Sequence, residues 1–475
     1  MLITAQELGP FLRFDAFTLA VAMLVALIGA IVIRFSSTYL DGSERRRLFM
    51  HRLWAAVFAV QLLVLAGNLL TLCVGWIATG IALDRLLRVY SDRPRVRRGA
   101  NRARAAARAS DVLVLSASAL LFTHFGTADI STIATAARVA GDTSLAIELT
   151  TLSIAGAAIL RCALLPMHSW LLDVVDAPSP LCALLHAGIL NAGGILVLRF
   201  ADVMMLGTGA LPLLALVGAL SAGIASMVML TQTSVKSSLA WSSIAQMGFM
   251  LFECGIGAFS FAALHLVAHS LYKAHAFLSS GSVVEIERQF CAAQPSTGVR
   301  PVIIAAAALA AMIIAFGVPQ LIGLSPFDSS GSNAPAIILT AMLGVGLTQL
   351  LARAAASNSG PALMAKAIAV AAGCSLAFAA GKALFDIGLT GVLPPNAASL
   401  PMLAIGLLTL ASFGAIVAVQ LARPAVIAEA RWASVYVHMK NGLYAAEIVD
   451  ELARRLSPRR STQLTTRRNT QGTNS

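Results

Sequence analysis

The chain carries one apolar run after another, each long enough to cross a bilayer as a helix, and this limits what it can fold into. A hydrocarbon core about 30 Å thick takes about 20 apolar residues of helix to span. Read in order, the runs predict about thirteen spans. They lie near residues 17–35, 53–66, 69–89, 111–125, 145–165, 181–200, 211–230, 239–255, 259–284, 301–318, 336–352, 363–384 and 400–421. Charged residues are only 12% of the chain, about half of what a soluble domain carries. The predicted class is an all-α polytopic membrane protein. Residues 1–422 form its transmembrane domain. Residues 423–456 are expected to form an amphipathic helix, broken at Asn441-Gly442 and lying on the membrane or against a partner. Residues 457–475 are polar and expected to be disordered.

Charge placement tests the count. Arg45, Arg46, Arg47, Arg52, the segment from Arg85 to Arg108, Lys236, Arg300, Arg353 and the tail after Arg423 fall in alternate connections. The connections between them, near residues 67, 126–144, 202–210, 256–259, 319–335 and 386–399, are nearly free of Lys and Arg. With an odd number of spans, the positive-inside rule places the N-terminus outside and the C-terminus in the cytoplasm. A multi-pass protein of the bacterial inner membrane is expected. Its opening residues have no basic n-region and no small-residue cleavage site, so no removed signal peptide is expected.

The net charge of +12 does not point to nucleic acid, because the arginines sit between apolar runs and form no aromatic–basic module. Arg85–Arg108 reads as a topology anchor touching lipid headgroups, with a docking surface for an acidic partner as the sharper reading. Cys73, Cys162, Cys182, Cys254, Cys291 and Cys374 show no paired spacing, so neither a disulfide framework nor a metal or iron–sulfur site is expected. No phosphate loop, nicotinamide, flavin or haem motif and no catalytic triad is present. The chain is therefore expected to be no enzyme and to hold no cofactor of its own.

Function is carried by polar groups inside the apolar runs. His265, His269 and Lys273 are spaced i, i+4, i+8, which places them within an arc roughly 80° wide on one helix face, with His275 turned elsewhere. A charge at the bilayer centre costs about 2.5–3.5 kcal/mol or more, so such a row needs polar partners or water and reads as an ion or proton path. His265 and His269 also have the spacing of a zinc pair, but no acidic residue lies between them and no third ligand is nearby.

Two more stretches join this one. Arg161 precedes Pro166, which removes a helix hydrogen bond, and His186 and Asn191 follow in the next span before Gly193-Gly194. Broken helices line cavities in transporters. Farther on, Gln232, Lys236, Ser237, Ser238, Ser242, Ser243 and Gln246 make the start of the 239–255 run unusually polar. Glu253 sits late in that run and reads as interfacial. Asp111 reads as an N-cap of the fourth span. Imidazoles and amines can pass protons along because they exchange them near neutral pH. The ion-translocation candidates are Lys236, His265, His269 and Lys273 as relay, His186 as a link, Arg161 as a fixed charge, and Asp111 and Glu253 beside them.

These blocks resemble the antiporter-like membrane subunits of respiratory complex I and of multisubunit cation/proton antiporters, most closely the L-type subunit. The resemblance is carried by Gly67-Asn68-Leu69-Leu70 to Gly75-Trp76, Arg108 to Asp111, Arg161 to Trp170, Ala177 to Ala187, Thr231 to Gly248 and His265 to Ser282. It implies two inverted five-helix repeats with broken helices and a midplane proton route. In that route the broken-helix lysine corresponds by position to Arg161. Two departures are visible. Ile77 stands where the family usually has a glutamate after Trp76, and the usual Ser-Lys-Asp-Glu segment is missing after the second proline break at Pro319. The stretches His186 to Gly194 and Ala268 to Ala276 look like the DabB family of inorganic-carbon transporter subunits. That narrower resemblance implies a heteromeric complex with DabA, a large peripheral zinc-dependent subunit resembling a carbonic anhydrase. This chain would supply the cation-driven step and its partner the CO2/bicarbonate chemistry. The competing expectation is a proton-translocating subunit of a complex I-like or antiporter assembly.

Overall fold

The computed structural model describes residues 9–141, 144–281, 298–324, 334–357, 360–395, 398–422 and 433–456. The expectations for 423–432 and 457–475, and the last residues of the 259–284 run, lie outside them. The regular structure of the described residues is helical, with isolated bridges but no strand among them. The helices are α1 (Ala16–Tyr39), α2 (Arg46–Val64), α3 (Leu69–Leu87), α4 (Pro94–Phe125), α5 (Ile130–Val139), α6 (Leu145–Arg161), α7 (Ser169–Asp173), α8 (Ser179–Ala187), α9 (Ala192–Arg199) and α10 (Ala201–Met204). They continue as α11 (Ala210–Met229), α12 (Val235–Gly255), α13 (Phe259–Leu278), α14 (Pro301–Leu321), α15 (Ala334–Ala356), α16 (Pro361–Gly388), α17 (Leu400–Ala422), α18 (Ala433–Lys440) and α19 (Ala445–Leu456).

Ten helical segments among the described residues are long and apolar enough to cross a membrane. Three of the thirteen expected runs fall short of that test although they are helical. The first, α6, has only 17 residues; α12 and α13 have 21 and 20 but carry the polar groups discussed below. Helix starts follow local chemistry. Asp15, Asn68, Asp129, Ser144 and Ser234 each accept a backbone N–H of the first turn of α1, α3, α5, α6 and α12.

Two expectations are corrected at α4. The basic segment is not a loop for most of its length: it folds into the first half of a 32-residue helix that runs without interruption into the fourth span. Pro94 opens that helix, where its missing N–H costs nothing. Asp111 therefore lies inside the helix and cannot be its N-cap. Its carboxylate instead accepts from Arg108 at 2.9 Å. Many of the basic side chains also have intramolecular acids. Arg88 and Arg104 both meet Asp84, Arg102 meets Asp173, and Arg95 meets Asp173 and Asp176.

Two interruptions shape the interior. Helix α6 ends at Arg161, and residues 162–168, with a cis peptide before Pro166, lead to the short α7. The second was not anticipated. The segment Ser179–Arg199 breaks at Gly188 (φ −123°, ψ −67°), passes through a 3-10 turn at Ile189–Asn191 and resumes as α9. Its apolar stretch is wholly buried, whereas α14, α16 and α17 are largely exposed on their outer faces.

Close approaches fall at glycines. A methyl group at Gly248 would sit 2.8 Å from the Gly218 carbonyl oxygen, so α11 and α12 pack almost backbone to backbone. One at Gly193 would sit 2.7 Å from the Ala158 carbonyl, which fixes α9 against α6. The tail helix stops at Lys440 and restarts at Ala445, with Gly442 against the ring of Trp241 near the start of α12.

Candidate ion-translocation site

Helix α13 packs against α8, α12, α1 and α16. Its buried face carries Leu266, His269, Ser270, Lys273 and Phe277, and His275 is exposed on another side. Lys273 has no exposed surface. Its Nζ donates to the Leu239 carbonyl on α12 at 3.0 Å. His269 lies one turn earlier, also buried, with its ring centre 6.1 Å from that of His265. His265 Nδ1 meets Glu253 Oε2 of α12 at 2.8 Å. Glu253 is thus an interior group near the end of α12 and is not interfacial, being 4% exposed. A cavity of ≈ 400 Å³ opens beside this pair, with Gln246, Phe249 and Phe378 in its wall.

His186, in the last turn of α8, stacks flat on Phe277 with ring centres 4.3 Å apart. It is fully buried, and neither of its ring nitrogens has a hydrogen-bond partner among the described residues. Lys273 is near enough for its charge to act on His186 and on His269. After the break, Asn191 donates to the Ser270 hydroxyl at 2.6 Å and to the Ala187 carbonyl at 2.9 Å, so the kinked segment is tied to α13 by a buried amide. Lys236 lies outside the row. It sits in the first turn of α12, and its Nζ donates to the Ala177 carbonyl at 3.1 Å. Leu239, whose carbonyl holds Lys273, is one turn farther along the same helix.

Arg161 and Asp111 form a separate group. Arg161 is buried at the end of α6, and its Nη2 donates to the Trp76 carbonyl at 2.6 Å. Its guanidinium carbon lies 4.4 Å from the Trp76 ring centre, a cation–π contact. Gly80 leaves the room it needs, since a methyl group there would be 3.2 Å from Nη1. Asp111 of α4 is close enough for its charge to act on Arg161. With Ile77 in place of a carboxylate, the guanidinium is held by a main-chain oxygen and an aromatic face.

The structure therefore brings together Lys273, His269, His186, His265 and Glu253 along α8, α12 and α13, leaves Lys236 outside this row at the start of α12, and sets Arg161 and Asp111 apart. Sequence reasoning missed one ion pair whose lysine is buried and whose aspartate is partly exposed. Lys382 Nζ meets Asp386 Oδ2 at 2.5 Å on α16, and the lysine side chain is 8% exposed. The signal was present as a Lys and an Asp one turn apart inside an apolar run.

Comparison with known proteins places the chain in a family. The family model for NADH:quinone oxidoreductase/Mrp antiporter transmembrane segments matches residues 66–382. The chain is 35% identical over 456 residues to the probable inorganic carbon transporter subunit DabB2 of Halothiobacillus neapolitanus, covering 94% of this chain and 80% of that one. It is 40% identical over 284 residues to the probable inorganic carbon transporter subunit DabB of Hydrogenovibrio crunogenus, covering 58% of this chain and 54% of that one. Among solved structures, the Mrp complex of a Dietzia species contains a chain that superposes with a TM-score of 0.55 at 22% identity, covering 95% of this chain and 50% of that one, which is a likeness of fold. The chain belongs to the complex I/Mrp antiporter-like membrane family, and within it to the DabB-type subunits.

Proposed function

We propose that this chain is the membrane subunit of an inorganic-carbon accumulation complex. It conducts H+ through the buried His/Lys row and thereby drives a partner subunit of the DabA type, which holds zinc and carries out the CO2/bicarbonate chemistry. The relatives named as inorganic carbon transporter subunits support the first part. The observation that carries the second is the row of Lys273, His269 and His265 at successive turns of α13, with His265 paired to Glu253 and with His186, whose ring nitrogens have no partner among the described residues, alongside. Buried polar atoms without protein partners are the groups that ordered water satisfies, and alternating imidazoles and water form a proton relay.

Arg161 acts in this reading as a fixed charge. A guanidinium does not release its proton in proteins, so it sets the local field without carrying the ion. The orientation follows the charge bias, with the basic connections and the C-terminus cytoplasmic. The partner then docks on the face that bears the start of α4 and Lys236.

The test is growth of a carbonic-anhydrase-deficient host in ambient air. The chain expressed with its partner should restore growth, an uncoupler should abolish the effect, and Lys273→Ala should fail to rescue. Rescue by Lys273→Ala equal to wild type would sink the proposed route. Co-purification of other antiporter subunits in place of a zinc protein would favour a respiratory assembly.

A further inference from the structure

The row described above ends at Glu253 and His265 without reaching the Arg-poor face. We propose that the Lys382–Asp386 pair on α16 is the terminal proton-transfer station of the route, in a second cavity at that face. The inference rests on the conduction reading and adds a site to it.

Four observations carry it. First, α16 has a narrow buried stripe of Ala367, Ala371, Ser375, Ala379 and Lys382, on a helix that otherwise faces outward. A lysine on such a helix has outward-facing positions in plenty. Here it occupies the one packed seam, among alanines and a serine. Second, the pair lines a cavity of ≈ 250 Å³ between α14, α15 and α16. Third, that cavity offers further polar groups. Thr340 Oγ1 is buried without a partner among the described residues and belongs to a cavity-lining residue. Pro319 lies inside α14 and has no N–H, so it cannot donate to the carbonyl of Ala315, another lining residue. An ammonium, a carboxylate, a hydroxyl and a freed carbonyl thus meet around a space that water can fill. Fourth, the cavity adjoins the one beside His265 and Glu253, because Phe378 lines both. Phe378 stacks on Phe261 at 5.1 Å, and Lys382 Nζ lies 5.8 Å from the Phe261 ring centre. Phe261 is one turn before His265 on α13. The two rings form an apolar wall one side chain thick between the inner pair and the outer pair.

The transfer balances simply. A proton from bulk water at the Arg-poor face is taken up by the Asp386 carboxylate, which becomes the neutral acid and frees Lys382. Asp386 then gives the proton to water between the two adjoining cavities, which passes it to the His265–Glu253 pair, and re-forms its pair with Lys382. One proton enters and one leaves.

The test uses the full chain with its partner, reconstituted in vesicles that trap a pH-sensitive dye, under an imposed pH gradient. If the station operates, Asp386→Asn and Lys382→Met each slow proton flux at least tenfold, Lys382→Arg retains most of it, and all three assemble with the partner as wild type does. Wild-type flux with Asp386→Asn and Lys382→Met unchanged overturns the station and leaves the inner route standing. Absence of flux from the wild-type complex overturns the conduction reading, and the station falls with it. Should the charge variants fail to assemble, Thr340→Cys decides in a background without the native cysteines. Labelling by a membrane-impermeant thiol reagent added from the Arg-poor side supports a hydrated outer cavity, and no labelling from either side refutes it.

Discussion

Arg161 and Lys273 are both cations with almost no exposed surface, yet the protein treats them differently. Arg161 is enclosed by groups that hold it still: the Trp76 carbonyl, the Trp76 ring, the notch at Gly80 and the nearby charge of Asp111. Lys273 is held by the Leu239 carbonyl and sits among imidazoles that themselves make few hydrogen bonds. A planar, permanently charged fork suits the first setting, and a small ammonium that exchanges its proton suits the second. The contrast teaches that burial of a cation is not by itself a sign of transport. What separates the two sites is the kind of neighbour: a main-chain oxygen, an aromatic face and a carboxylate around Arg161, and imidazoles on the same helix face around Lys273.

The comparison can be broken in several places. Lys273→Ala is expected to lower uncoupler-sensitive inorganic-carbon uptake by about tenfold or more, about 1.4 kcal/mol of barrier. Lys273→Arg should be nearly as poor, because a guanidinium keeps its proton. Full uptake by the arginine variant would erase the distinction drawn here. At the other site, Arg161→Met should lower the stability of the purified complex by about 3 kcal/mol, the scale seen when one partner of a buried charge network is removed. Arg161→Lys should assemble and keep most of the flux, whereas a loss as deep as that of Lys273→Ala would make Arg161 part of the relay. Gly80→Ala should cost about 1–2 kcal/mol through crowding of the guanidinium, read as a lower melting midpoint. Asn191→Ala, which loses the bond to Ser270, should cost about 1 kcal/mol and leave flux near wild type. His275→Ala, on the exposed side of α13, should change stability by less than about 0.5 kcal/mol and uptake not at all.

Much of this arrangement could be read from residue spacing. The i, i+4, i+8 row is legible because helical geometry is regular and because polar groups stand out against an apolar background. Burial of Lys273 and His269 with exposure of His275 follows from that alone. Contacts between helices were harder. Glu253 looked interfacial because it falls late in its run, and only the turn at residues 256–258 folds α13 back so that His265 meets it. Asp111 looked like a cap because the arginines before it suggested a loop. Local propensity decided otherwise, since Ala and Arg are strong helix formers and carried α4 through the charge boundary. The break at Gly188 left no proline to announce it. The Lys382–Asp386 pair was overlooked because one turn of charge in an apolar run reads as self-neutralising, and its meaning depends on which side of α16 faces inward.

The length of α4 has a mechanical consequence. At 1.5 Å per residue its 32 residues measure about 48 Å, well beyond the roughly 30 Å of hydrocarbon that it crosses. One stiff rod therefore reaches from the stem that bears Arg95, Arg102 and Arg104 down to the level of Asp111. Anything that leans on the projecting end tilts the whole shaft, and the shaft is packed along α6, whose last residue is Arg161. A soluble subunit pressing on the arginine-studded tip would thus be felt at the buried guanidinium with no hinge in between to absorb the motion.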